Sequence, residues 1–293
     1  MRSSYIAGGL GVLAMSGFVS AQTFSAAGAD AASILDSVNG FRDALGALNP
    51  NGPTSFAGGR REVNWDGAPA SAAQPNFFAG DFFNAKFDGA PNGRIRGVEF
   101  STNGNGFFVS SDPGDVGPQQ PAAGNFGFPI DFPAFSPNRL FSPVGSVVTE
   151  VEFFLPGTNT PALTRGLGVV FLDVELANLT SIEYFDAQGN SLDKIFVEPV
   201  NGDNLAMRGV GGFSFAGRAF DDSIIASAII TTGNSRLLPD GSFEAIKDSV
   251  VMDDFIFGET QAVAIPLPAA ALPVVATLGA IGTVGYIRRR KLA

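Results

Sequence analysis

The chain has 293 residues, with 18 Lys and Arg against 28 Asp and Glu, a formal net charge of -10. That balance argues against a nucleic-acid partner, because phosphate binding needs clustered Lys and Arg. Cys and His are both absent, which excludes disulfides, thiol nucleophiles, Ser-His-Asp triads and His-ligated zinc, and leaves carboxylate chemistry and oxygen-ligated calcium.

The N-terminus opens on Met1-Arg2 and runs into an apolar stretch to Val19. Val19-Ser20-Ala21 offers the small residues that a signal peptidase reads, so residues 1–21 are predicted to be a signal peptide for the Sec translocon, cut between Ala21 and Gln22. Residues 22–61 follow as a helical lead-in. Within it Ile34, Leu35, Val38, Phe41, Leu45 and Leu48 recur at helical spacing, and Asn49-Pro50-Asn51-Gly52 ends the run, so the pattern predicts one helix over 30–48.

From 62 to 260 the chain alternates short apolar runs with Gly, Pro, Asn and Asp turns, the pattern of antiparallel strands. Segments 97–101 and 106–110 read as a hairpin. Segment 147–155 reads as a strand with Glu150 and Glu152 on one face and Val151 and Phe153 on the other, and 167–176 as a buried central strand. Segments 181–185 and 192–197 read as a hairpin about Asp186-Ala187-Gln188-Gly189-Asn190, and 211–215, 223–232 and 249–257 complete the set. Between them, 111–143 is a long Pro- and Gly-rich connection carrying Phe126, Phe128, Phe132, Phe135 and Phe141. The 28 Phe against a single Trp and 3 Tyr predict a core filled with rings that have no polar handle. The fold class expected is mainly β, an antiparallel sandwich of jelly-roll or lectin-like type with one N-terminal helix.

Two groups of residues invite a chemical reading. Asp253-Asp254 interrupts the apolar run 250–257. Neighbouring strand residues point to opposite faces, so one carboxylate would face the core, which is costly unless compensated. One solution is calcium held by Asn64, Asp66 and Asp253 or Asp254, given neighbouring first and last strands. The other is backbone hydrogen bonding or an arginine such as Arg60, Arg61 or Arg94. Glu150 and Glu152 could flank a glycosidic bond by spacing alone, but alternating Glu is also what a half-solvated strand shows. A catalytic apparatus is not otherwise visible, and no enzyme activity is expected.

The C-terminal stretch 261–293 reads Ile265-Pro266-Leu267-Pro268-Ala269, then an uncharged apolar run to 287, then Arg288-Arg289-Arg290-Lys291. At about 1.5 Å per residue, 269–287 is long enough for a transmembrane helix. The basic tail 288–291 places this end in the cytoplasm and the β domain outside. These three ordered parts resemble the PEP-CTERM class of bacterial sorting signals in its VPLPA-CTERM variant, with Ile265 where that variant has Val. Asn64-Trp65-Asp66-Gly67 and Met252-Asp253-Asp254-Phe255 are similar, more loosely, to an early turn and a late strand of other secreted proteins with such tails. The resemblance implies recognition by an exosortase-type membrane peptidase, and a secreted, non-enzymatic protein of the cell surface or biofilm matrix associated with exopolysaccharide. A carbohydrate- or calcium-dependent lectin-like module is the alternative, and a glycan hydrolase a further one. A plain membrane anchor, single-pass in the cytoplasmic membrane, is the other reading of the tail.

Overall fold

The computed structural model describes residues 20–84, 92–111, 132–137, 139–200, 211–244 and 248–263. The predicted signal peptide up to residue 19, most of the 111–143 connection and the predicted sorting segment from residue 264 on, with Ile265 to Ala269 and Arg288 to Arg290, lie outside them. Among the described residues no helix is long and apolar enough to cross a membrane, and the predicted span 269–287 is not one of them. The chain divides into a unit ending at Ala262 and a second beginning at Val263; the first unit carries the described helix and strands.

The body is built from antiparallel sheets and one helix. The helix, α1 (Ala31–Leu45), begins where Asp30 accepts the backbone N–H of Ser33 at 2.9 Å, satisfying a donor that has no partner within the helix. It ends at Gly46, whose φ of 98° suits glycine. Ile34, Val38, Phe41 and Leu45 form its buried stripe. Leu35 and Leu48, expected to share that stripe, are exposed.

Seven strands make the larger sheet: β1 (Ala21–Gly28), β2 (Arg60–Val63), β4 (Gly106–Val109), β5 (Phe141–Val144), β8 (Gly166–Leu172), β11 (Phe213–Phe220) and β13 (Val251–Gly258), in the order β1-β11-β8-β13-β5-β4, with β2 also on β13. The smaller sheet has the order β10-β9-β12-β6-β3, from β3 (Val98–Ser101), β6 (Val148–Phe153), β9 (Ser181–Phe185), β10 (Ser191–Phe196) and β12 (Ser227–Thr231). A third, two-stranded piece joins β7 (Ala162–Leu163) to β14 (Gln261–Ala262).

One core lies between the two large sheets. Val151 and Phe153 of β6, Ile182 and Tyr184 of β9, and Ile230 of β12 share it with Val169 and Phe171 of β8 and Phe255 and Phe257 of β13. Phe153 and Phe257 meet at 5.5 Å between ring centroids, and the Tyr184 hydroxyl donates across to the Leu167 carbonyl at 3.0 Å. A second core covers the opposite face of the larger sheet, where Val170 and Leu172 meet α1. This explains why β8 is apolar throughout, as its sequence predicts: it is buried on both sides. The helix seats closely because Gly168 and Gly217 are cross-strand partners directly beneath it. A Cβ at Gly168 would lie 2.7 Å from Phe215 Cζ and 2.8 Å from Phe41 Cε1.

Three expectations change. Residues 22–28, read as part of a helical lead-in, belong with Ala21 to β1, paired along its whole length with β11. The expected hairpin of 97–101 with 106–110 does not form: β3 pairs with β6 in the smaller sheet and β4 with β5 in the larger. Residues 102–105 therefore bridge the sheets. Gly104 fits against the Val144 carbonyl, where a Cβ would stand at 2.2 Å, and the Asn105 amide donates to that same carbonyl at 2.6 Å. The long connection contributes Phe132 to the helix-side core, with Phe135 packed on it, and Phe141 to β5 and the inter-sheet core.

Candidate functional site

The two short motifs at 64–67 and 252–255 meet. β13 is flanked by β8 along one edge, while its other edge is shared: Met252 faces Phe141 of β5, and Phe255 faces Val63 of β2. Trp65 lies two residues past the end of β2 and fills the gap where the partner changes. Its indole Nε1 donates to the Asp253 carbonyl at 2.7 Å, and its ring stacks on Phe141 at 3.9 Å with 3° between planes. Phe78, Phe83, Phe100 and Phe255 surround it with centroids at 5.4–5.7 Å, edge-on or tilted, arrangements favoured by the ring quadrupole. Trp65 adopts a φ of 66°, uncommon for a bulky residue, and its packed neighbours fix that conformation.

The carboxylates of Asp253 and Asp254 do not point to opposite faces. Four residues of β13, Met252 to Phe255, lie opposite three of β8, Phe171 to Val169: the extra residue makes a β-bulge. Met252 and Phe255 both belong to the inter-sheet core while Val251 and Ile256 belong to the helix-side core, so both aspartates lie on the helix side. Asp253 Oδ2 accepts the N–H groups of Phe135 and Ser136 at 2.7 and 3.2 Å, and its Oδ1 accepts the Ser136 hydroxyl at 3.0 Å. Arg42 of α1 reaches Asp254 at 3.2 Å and Glu62 at 2.9 Å, and Arg60 reaches Glu62 at 2.7 Å. Burial pushes the Asp253 carboxyl well above the usual carboxylate range, with the Asp254 charge adding to it and the Phe135 and Ser136 donors opposing. Burial raises Asp254 as well, against Ser136 and Arg42.

These partners are of the bland kind foreseen, backbone donors and an arginine, but the arginine is Arg42. Arg60 serves Glu62, and Arg61 makes a bidentate, fully buried pair with Glu259, Nε to Oε2 at 2.7 Å and Nη2 to Oε1 at 2.9 Å. Glu259 also accepts Asn49 and the Phe56 amide, and Arg61 donates to the carbonyls of Gly52 and Thr54. The pair thereby fastens the 49–56 loop to the end of β13.

The expected neighbourhood of Asn64, Asp66 and Asp253 is present through the backbone, but their side chains go different ways. Asn64 Nδ2 donates to Asp66 Oδ2 at 3.1 Å, and the Arg139 amide donates to Asp66 Oδ1 at 3.2 Å. The groups around Asp253 and Asp254 are N–H and O–H donors and a guanidinium, which suit carboxylates and do not fit calcium. Among the described residues no three acidic side chains converge on a metal-sized site.

A cavity of about 320 Å³ opens beside the Trp65 turn. Phe82 and Phe83 line it with Arg94 and Arg96. The Arg94 guanidinium lies over the Phe82 ring at 4.3 Å and that of Arg96 over Phe83 at 4.7 Å. Such cation–π contacts hold a planar guanidinium flat against an apolar wall. Arg96 donates from Nε to the Glu62 carbonyl at 2.8 Å and from Nη1 to the Arg94 carbonyl at 3.0 Å. Its burial, and repulsion from Arg61, bring its pKa down to about 10, so it stays charged at neutral pH. From the sequence, Arg94 is named only as a candidate partner of the aspartates and Arg96 is passed over; the signal that could have found the pair is the Arg94-Ile95-Arg96 alternation, which leaves a 3-10 turn ending at Arg94 with Ile95 buried between the two cations.

Glu150 and Glu152 are exposed on the outer face of β6, as their alternation predicts. Glu152 lies opposite Glu99 of β3; partial burial and the charges of Glu150 and Glu99 raise its pKa. Compared with protein-family models, curated proteins and solved structures, the chain matches none.

Proposed function

We propose that the chain is an exported, non-enzymatic protein of the cell surface or extracellular polysaccharide matrix. The β body, taken as a sandwich of jelly-roll or lectin-like type, stands outside the cytoplasmic membrane, and 261–293 is a sorting signal read by an exosortase-type peptidase. One observation carries the reading: a Pro motif at 265–269, an uncharged apolar run and the cluster Arg288-Arg289-Arg290 succeed one another at the C-terminus. Signal-peptide cleavage between Ala21 and Gln22 would leave all of β1 but its first residue in place against β11. The test is mass spectrometry of the mature chain from membrane and culture fractions of the native host. A C-terminus near Pro268 or Ala269 in released or outer-surface material supports sorting. An intact chain ending at Ala293 and confined to the inner membrane makes the tail a plain anchor and overturns it.

A second reading, that the body is a carbohydrate-binding module, is favoured by the arginine-lined cavity. It does not call on calcium.

A further inference from the structure

We propose that the cavity beside Trp65 binds an organic carboxylate carried on a compact ring with an apolar face, the size of one hexuronate unit. This deepens the binding-module reading and is independent of what happens to the tail.

Charge selects the class of ligand first. In a chain with 28 acidic and 18 basic residues, this cavity is lined by Arg96 and by Arg94, the latter engaged with another group, and among the described residues lining it there is no Asp or Glu. Arg61 stands close enough to Arg96 to repel it, but its own charge is taken by Glu259. The described hydrogen bonds of Arg96 go to two carbonyls only, so its Nη2 is left without a described protein partner. A part-buried guanidinium with a vacant N–H edge is a receptor for an anion, and its planar fork matches carboxylate geometry.

The walls select the body of the ligand. Trp65, Pro69, Phe82 and Phe83 make the rest of the lining largely apolar, which would be wasted on an inorganic ion but suits the C–H face of a ring. The volume of about 320 Å³ falls at the small end of the roughly 300–1,000 Å³ range of ligand pockets, which suits one ring and not a folded peptide. Gly67 and Gly93 stand at the lining, and a Cβ built on either meets nothing within 4 Å. Neither has a left-handed φ, so a side chain can be added at these positions without backbone strain.

The experiment is isothermal titration calorimetry on the full chain in detergent, with glucuronate as probe and glucose and inorganic phosphate as controls. Glucuronate is expected to bind saturably, glucose at least about tenfold more weakly because it lacks the charge-assisted hydrogen bond, and phosphate also about tenfold more weakly because it has no apolar ring face to bury. Arg96→Gln should weaken glucuronate by about tenfold, and Arg96→Lys by less, because it keeps the charge and loses the fork. Arg96 also holds two backbone carbonyls, so Gly67→Leu and Gly93→Leu provide a second test: they fill open space, should leave the melting temperature unchanged, and should abolish binding. Equal affinity for glucuronate and glucose overturns the charge argument. Phosphate binding as tight as glucuronate overturns the ring. No saturable binding, or binding untouched by Arg96→Gln and by both glycine substitutions, overturns the site itself, whatever the C-terminus of the mature chain proves to be.

Discussion

The indole of Trp65 donates to the main-chain carbonyl of Asp253 at 2.7 Å, at the point where β13 exchanges one partner strand for another. A turn near residue 65 and a strand 188 residues later are thus one structural unit. The ladder is interrupted by the bulge, and the indole satisfies a carbonyl that is buried there.

Trp65→Phe keeps the aromatic packing and removes that donor. A buried carbonyl left unsatisfied costs about 1–3 kcal/mol, and urea denaturation followed by circular dichroism should show a loss in that range. Trp65→Ala also opens a void among five rings and should cost about 3–5 kcal/mol. Equal stability of Trp65→Phe and the parent chain would mean that the hydrogen bond contributes nothing net.

Gly168→Ala places a methyl group within 2.8 Å of both Phe41 and Phe215. Overpacking of this kind costs about 1–3 kcal/mol. Combining it with Phe41→Leu should cost less than the sum of the two single changes, because the smaller side chain clears the added methyl. A strictly additive thermal-denaturation cycle would show that α1 does not rest on the glycine pair.

Glu259→Gln leaves Arg61 charged and without its carboxylate in a fully buried site. Removing one partner of a buried pair costs about 3–5 kcal/mol. Replacing both residues with apolar ones should not restore stability, because the carbonyls of Gly52 and Thr54 and the Phe56 amide lose their partners too. The 49–56 loop should become the first site of limited proteolysis in the variant. Protection equal to that of the parent chain would count against its role as the loop's fastening.

Burial raises both carboxyls of the Asp253–Asp254 pair. The folded chain therefore holds protons at pH values where the unfolded chain, titrating near about pH 4, has released them. The pair's contribution to stability is greatest at low pH and falls as pH rises through the elevated folded values. Asp253→Asn keeps an acceptor for Phe135 and Ser136, and its amide can donate to the Ser136 hydroxyl. Relative to the parent chain, it should gain melting temperature at neutral pH and gain less near about pH 4. A variant that is less stable at every pH would show that the three donors hold Asp253 ionised against burial.

Local pattern made much of this fold legible. The α1 stripe, the alternation of Glu150 and Glu152 with Val151 and Phe153, the β9–β10 hairpin about Asp186 and the double-sided burial of β8 all arise from periodicities of 3.6 and 2, or from a continuous apolar run between turns. These signals depend on neighbours within a few residues. The strand at 21–28 was hidden because Ala, Ser and Gly dominate it and it adjoins a predicted cleavage site.

What the sequence by itself determined is the class: a β-rich body with one helix, an inward-facing carboxylate in an apolar strand that needs a partner, and an ordered motif, apolar run and basic cluster at the C-terminus. Only the tertiary structure decided that β3 and β4 belong to different sheets, that a bulge turns Asp253 and Asp254 to the same face, that Arg42 rather than Arg60, Arg61 or Arg94 meets Asp254, and that Arg94 and Arg96 line a cavity. The physical reason is common to all four. Hydrophobic period reports which face of a strand is buried, whereas the choice of sheet, the register and the ion-pair partner depend on residues brought close from roughly 40 to 200 positions away, and no local pattern encodes that distance.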